Sequence, residues 1–206
     1  EAEGIPTKYI GSYDTAATYV PIDPNTGHGD PTPEYNYGVF VSEVEVDAAT
    51  GKTRVLRMLA AGDVGRIGNQ LAVEGQAYGG MSHTVGFALT EDYDDLKRHG
   101  SFAACGVPTI QEIPDDMELI FLENDRKEGP FGSCGCSELY QSGGHMSIIN
   151  GIDQAVGVRI YELPAKPEKV KAAMEARARG EELKPERYYL GPDFYDTLDE
   201  LSDHPV

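Results

Sequence analysis

The run Tyr35–Gly65, "YNYGVFVSEVEVDAATGKTRVLRMLAAGDVG", decides the fold. Apolar and polar residues alternate over Gly38–Asp47, the chain turns at Asp47–Lys52 through "DAATGK", and a second run follows over Thr53–Ala61. Period-two patterning on both sides of a glycine turn specifies a β-hairpin. Next comes Asn69–Tyr93, "NQLAVEGQAYGGMSHTVGFALTEDY", in which Leu71, Ala72, Tyr78, Met81, Val85 and Leu89 recur mostly at three- and four-residue steps. That spacing predicts a helix with those residues as its apolar stripe. Gly75, Gly79, Gly80 and Gly86 lie inside it, each costing about 1 kcal/mol against alanine. They mark either tight helix packing or something that approaches the backbone closely.

After a polar loop, "MELIFLEN" (Met117–Asn124) reads as a short strand. The glycine-rich stretch Gly129–Met146, "GPFGSCGCSELYQSGGHM", leads into a helix predicted over Ser137–Val156. Ser137 is its expected cap, Leu139, Met146, Ile149, Ile152 and Val156 its expected buried stripe, and Gly157 its stop. Pro167 suits a first helical position, with a charged surface helix over Glu168–Arg179. A short acidic helix is expected near Asp193–Leu201. Strands, helix, strand, helix in this order give the α+β class, with a β-hairpin and sheet packed by glycine-rich helices. Three segments are expected: residues 1–34, irregular and packed on another part of the protein; residues 35–163, the body of the domain; and residues 164–206, a helical tail.

The 206 residues are 40% hydrophobic and 25% charged, the composition of a globular chain large enough to bury a core. Seventeen basic residues against 35 acidic ones leave a net charge of −18, which repels nucleic acid and anionic lipid. No apolar run approaches the roughly 20 residues of a membrane span. The opening "EAEGIPTKY" does not read as a signal peptide, and it reads as mid-chain material of a longer polypeptide. Three cysteines make no disulfide framework, so a reducing compartment is the default and the cytoplasm is expected, with the periplasm as the alternative.

Glu138 would stand just inside a helix start, after a glycine-rich loop. A helix start offers free N–H groups and positive partial charge, which hold a carboxylate ionised. On spacing alone Glu138 is either a general base or a surface complement to the helix dipole. Cys134 and Cys136 form C-x-C with His145 nearby, which is either a soft-metal set or a pair of buried small thiols. A disulfide between them would be strained. His28 and His83 stand alone. Gln76, in "EGQAYGG", is either a buried amide needing partners or a ligand contact.

Taken in order, these segments resemble the molybdenum-binding region of the xanthine oxidase and aldehyde oxidoreductase family. The hairpin ends in Asp-Val-Gly (Asp63–Gly65), an Asn follows, and the next helix carries Gly-Gln-x-x-Gly (Gly75–Gly79). "GPFGSCGCSELYQSGGHMSIINGIDQAVGVRIYELPAKPEKV" is similar to the family's last catalytic loop and helix, including Pro-Ala-x-Pro-Glu-Lys at Pro164–Lys169. "GPFGSCGCSE" and the tail "YYLGPDFYDTLDELSDHPV" are most similar to aldehyde oxidoreductases of sulfate-reducing bacteria. The resemblance spans residues 8–175.

The resemblance implies the C-terminal half of a molybdenum-cofactor domain, with Glu138 as the base beside a molybdopterin-type cofactor. Gln76 and Gly75 would contact the pterin, and the backbone of Gly132, Ser133, Gly135 and Ser137 would lie against the molybdenum ligands. No side chain would ligate the metal directly. The reaction implied is oxidation of a small aldehyde to its carboxylic acid with water as oxygen source. Hydroxylation of purines or other heterocycles is the alternative enzyme, and a cofactor-free structural module the non-enzymatic one. Two-iron iron–sulfur clusters would sit in the remainder of the enzyme or a partner subunit, the whole forming a homodimer, and this chain alone would be inactive. Two departures leave the substrate open. Many relatives have Gly immediately before the catalytic Glu, where this chain has Ser137, and small residues where it has Cys134 and Cys136.

Overall fold

The computed structural model describes residue 4 and residues 7–12, 20–32, 34–95 and 97–181. The acidic helix expected near Asp193–Leu201 lies outside the described residues. Strand β1 (Tyr37–Val46) pairs antiparallel with β2 (Thr53–Asp63), as the alternation predicts, with a register shift between Glu43 and Val44. The turn between them is organised by Asp47, whose carboxylate accepts from the N–H groups of Ala49 and Thr50, while Gly51 takes φ +77°. Asp and Gly suit these roles for local reasons: a short acceptor reaches back to the turn backbone, and glycine adopts positive φ at no steric cost.

Helix α1 (Gln70–Leu89) follows, then a four-residue helix α2 (Phe102–Cys105) inside the segment expected to be a polar loop. Strand β3 (Asp116–Leu122) pairs with β2 in parallel, giving a three-stranded sheet in the order β1-β2-β3. A parallel pair requires a crossover, and α1 supplies it. Helix α3 (Ser137–Val156) and helix α4 (Pro167–Ala178) complete the described fold. Gly157 ends α3 in the left-handed conformation at φ 69°, as its position predicts.

Two rows of α3 make two different interfaces. The row Gly143, Ser147, Gly151 lies on the inner face of β1, against Phe40, Ser42 and Val44, with Ser42 Oγ and Ser147 Oγ 2.6 Å apart. The row Tyr140, Gly144, Ile148 lies against α1. A Cβ added to Gly80 would sit 2.8 Å from Tyr140 Cβ and 2.9 Å from the Gln141 backbone nitrogen, and one added to Gly144 would meet Thr84. The two helices therefore run parallel in near contact, and only the missing side chains allow it. Met58, Ala60, Met81, Val85, Tyr140, Ile148 and Ile152 fill the core below.

This contact moves the buried stripes from where periodicity put them. In α1, Ala77, Met81, Val85, Ala88 and Leu89 are buried, but Leu71 is 79% exposed. In α3, Ile149 and Ile152 are buried as expected, whereas Met146 is 46% exposed and Tyr140, Gly144 and Ile148 take the inner positions. The cap is also different. Cys136, not Ser137, is the N-cap of α3, and it makes no side-chain capping bond. At the far end of the molecule α4 buries Val170, Ala173 and Ala176, and its start meets the hairpin turn at Gly51.

The glycines of α1 thus divide into three kinds: Gly80 faces α3, Gly86 packs against Glu91 and Pro108, and an added Cβ at Gly75 or Gly79 meets nothing within 4 Å. Gly80→Ala is expected to destabilise the chain by about 1–3 kcal/mol through overpacking. Gly75→Ala should leave its stability unchanged or raise it by up to about 1 kcal/mol. Urea unfolding midpoints of the two variants check this; equal losses would contradict the assigned packing.

Candidate active site

The carboxyl ends of the parallel strands β2 and β3 and the amino ends of α1 and α3 meet at one edge of the sheet. In sheets with parallel strands this edge is where ligands bind. Asn69 opens α1, its side chain accepting from the Ala72 N–H at 3.0 Å. Asp63 closes β2 and is buried. Its carboxylate accepts from Asn124 Nδ2 at 2.6 Å and from the N–H groups of Asn124 and Gly65 at 3.2 Å each, and pairs with Arg126 Nη2 at 3.2 Å. Burial alone would raise its pKa, but the bonds from Asn124, Gly65 and Arg126 outweigh that and hold it at about 2.

The anchor holds the loop that leads to Glu138. Arg126 Nη2 also donates to the Asp63 carbonyl at 2.9 Å. The Gly132 carbonyl accepts from the N–H groups of both Arg66 and Arg126 at 2.9 Å, Ser133 pairs with Gly65, and Cys134 N–H donates to Val64 O at 3.3 Å. Ser133 Oγ donates to Arg66 O at 2.6 Å. Gly132 adopts φ +83°, and its neighbour Phe131, 92% exposed, is among the described residues the one non-glycine at positive φ, 56°. A non-glycine residue there stores about 1–2 kcal/mol of backbone strain. Gly132 and Ser133, both partly buried, thus direct their polar atoms into the protein, whereas Gly135, Ser137 and Glu138 are exposed.

Gln76 arrives from the other helix. The pairs Gly80–Tyr140, Thr84–Gly144 and Phe87–His145 set α1 and α3 in register. One helical turn toward the amino ends, that register sets Gln76 level with Cys136 and Ser137. Gln76 and Glu138, 62 positions apart in sequence (138 minus 76), therefore share one end of one helix pair, and both are exposed. Gly75, Gly79 and Gly135 add backbone with open space where a Cβ would be. The first-turn N–H groups of α3 have no side-chain cap. A flat, polar, anionic group fits this edge: open glycine backbone admits it, an exposed amide can bond it, and uncapped helix N–H groups favour its charge.

Cys134, Cys136 and His145 do not converge. Among the described residues, the one group of three His, Cys, Asp or Glu side chains close enough to share a metal is Asp92, Asp94 and His99, and there Lys166 already pairs with Asp92 at 2.5 Å. Burial raises the pKa of both Cys134 and Cys136, which keeps them as thiols, and lowers that of His145, whose ring packs edge-on against Phe87 at 5.0 Å. His83 meets Gln141 at 3.3 Å, and His28 is exposed. Past Gln76 and Glu138, the same faces of the two helices continue into a groove of about 670 Å³ lined by His83, Phe87, Gln141 and His145.

The sequence of this chain matches the molybdopterin cofactor-binding domain over residues 1–114. The chain belongs to that family. It is 46% identical over 171 residues to an aldehyde oxidoreductase of Megalodesulfovibrio gigas, a match covering 83% of this chain and 19% of that protein. The solved aldehyde oxidoreductase of Desulfovibrio gigas superposes with a TM-score of 0.76 at 46% identity, over 78% of this chain and 18% of that one. That of Desulfovibrio desulfuricans gives 0.70 at 49% identity, over 72% and 16%. The chain thus spans less than a fifth of the length of these relatives. Their likeness supports the molybdenum cofactor as the anionic group that the edge fits. Among the described residues no helix is long and apolar enough to cross a membrane.

Asn124 and Arg126 escaped the sequence reading, because nothing in "ENDRKEGPFG" ties them to an aspartate 61 and 63 positions earlier. A charged Asp at the buried end of an apolar strand was the available signal, since such a group requires partners. Removing one side of a buried ion pair leaves the other uncompensated, so Asp63→Ala should cost about 3 kcal/mol at neutral pH. The folded pKa of Asp63 lies below its ordinary value of 3.8, so its stabilisation is complete above that pH and is lost as pH falls through about 2. Denaturant midpoints of the two proteins, followed down in pH, should converge over that window; a constant difference would contradict the assignment.

Proposed function

We propose that this chain is the C-terminal part of the cofactor-binding region of an aldehyde-oxidising molybdenum hydroxylase, and that Glu138 is its catalytic base. The observation that carries this is the shared edge: Glu138 in the first turn of α3, Gln76 on α1, and open glycine backbone at Gly75 and Gly135 between them. Similarity to aldehyde oxidoreductases supports aldehydes as substrates.

Gln76 and Gly75 hold the pterin edge of the cofactor, the first through its amide and the second by leaving room. The exposed backbone of Gly135 and Ser137 lies toward the metal end, and Gly132 and Ser133 act one step back, fixing the loop on Gly65 and Arg66. When bound, the molybdenum cofactor supplies the two-electron redox chemistry and the Lewis acidity. Glu138 supplies the basic oxygen. Its carboxylate, in the first turn of α3, takes the proton from the oxygen nucleophile that water provides. The stable α1–α3 contact keeps that carboxylate at a fixed height relative to Gln76. Iron–sulfur clusters and the rest of the substrate pocket belong to the portion of the enzyme outside this chain, in a homodimeric whole, and the isolated chain turns nothing over.

In the enzyme that carries this chain, Glu138→Gln should lower kcat by about 10²–10⁴-fold, the usual contribution of a positioned base. Molybdenum per protein, measured by plasma mass spectrometry, should stay unchanged. Full turnover in Glu138→Gln would remove Glu138 from the reaction. Gln76→Ala should instead lower cofactor content on purification.

A further inference from the structure

The loop before Glu138 is held differently on its two sides. Upstream, backbone bonds from Gly132, Ser133 and Cys134 tie it to Val64–Arg66. Downstream, Gly135 stands exposed with open space where a Cβ would be, three residues before Glu138. A glycine in that setting has wide conformational freedom unless something fixes it. The side chain that reaches it comes from the segment entering β1. Asn36 Nδ2 donates to the Gly135 carbonyl at 2.5 Å, and Asn36 Oδ1 accepts from the Cys134 thiol at 2.8 Å. One amide thus grips consecutive residues of the loop, about 100 positions away in sequence, using its donor and its acceptor at once. The grip gives Cys134 a purpose that a smaller residue would not serve, because an alanine or glycine has no side-chain donor to offer Asn36. Burial keeps that thiol protonated and so able to donate.

We propose that Asn36 and Cys134 form a clamp that positions Glu138: the clamp fixes the backbone at Gly135 and thereby the direction in which the first turn of α3 presents its carboxylate. Asn36 is a positioning residue, acting on Glu138 through the backbone at Gly135. The proposal rests on the reading of Glu138 as the base. A base displaced by about 1 Å can lose up to about 10² in rate, so a clamp at the hinge acts on kcat more than on binding.

The test uses the molybdenum-loaded enzyme that carries this chain, with acetaldehyde as substrate and variants Asn36→Ala, Cys134→Ala, both together, Cys134→Ser and Glu138→Gln. Hydrogen–deuterium exchange of the peptide covering residues 131–140 is followed alongside the kinetics. Asn36→Ala should lower kcat about tenfold or more with KM changed less than about threefold, and raise exchange in that peptide alone. Cys134→Ala should do the same, the double variant should be no worse than either single one, and Cys134→Ser, which keeps a hydroxyl donor, should recover most of the loss. Unchanged kcat and unchanged exchange in Asn36→Ala, with Glu138→Gln inactive, would overturn the clamp and leave the base in place. Losses in Asn36→Ala accompanied by exchange across the whole chain would also overturn it, since they report a structural role. Full activity of Glu138→Gln would overturn both readings.

Discussion

The buried carboxylate of Asp63 is the constraint on which the site depends. It ends strand β2, and it draws Asn124 and Arg126, just past the end of β3, into one hydrogen-bonded cluster. Once Arg126 is fixed there, its backbone N–H and that of Arg66 converge on the Gly132 carbonyl, and the loop to α3 has one place to go. A buried ion pair of this kind is seldom a source of net stability over an apolar substitute, because desolvating both charges offsets their attraction. Its use here is geometric. It fixes the position of a loop that carries three glycines, Gly129, Gly132 and Gly135, and that has few side chains able to pack.

The second constraint is the near contact of α1 and α3. Gly80 and Gly144 let the helices approach until backbone meets side chain, and the register that results brings Gln76 level with the start of α3. Small residues at this interface therefore serve two ends. They set the packing distance in the middle of the helix pair and the relative height of two exposed polar side chains at its end. The glycines on the open side, Gly75 and Gly79, serve neither, since a Cβ there would meet nothing within 4 Å; they leave helix backbone open at the edge, at a cost in helix propensity.

Much of this was legible in the sequence. Period-two alternation gave both strands of the hairpin, three-to-four spacing gave α1 and α3, and Pro167 ahead of a charged run gave α4, close to their observed limits. The family resemblance singled out Glu138 and Gln76, which stand at the same end of the helix pair. What periodicity could not give was the face. It ranks positions by hydrophobicity, and at Leu71 and Met146 that ranking fails, because the helix pair buries the rows containing glycine and threonine instead. The cap of α3 was misplaced by one residue for a similar reason: serine's propensity to cap is local, whereas the loop's course is set by Asp63 and Arg126 from elsewhere in the chain. The clamp from Asn36 was invisible, since an asparagine in a proline- and tyrosine-rich segment carries no sign of a partner about 100 residues on. Cys134 was visible as an oddity, and its geometry shows a hydrogen-bond donor where spacing alone left a metal ligand open.

The most direct test of the account is the position of molybdenum itself. Anomalous diffraction at the molybdenum edge, on crystals of the enzyme that carries this chain, locates the metal without reference to any assumed pose. One molybdenum per copy of the chain is expected, beside the exposed first turn of α3, facing the Glu138 carboxylate, with the pterin running toward Gln76. A metal placed elsewhere, or a carboxylate turned away from it with another side chain at its face, would contradict the assignment of Glu138 and of the edge built around it.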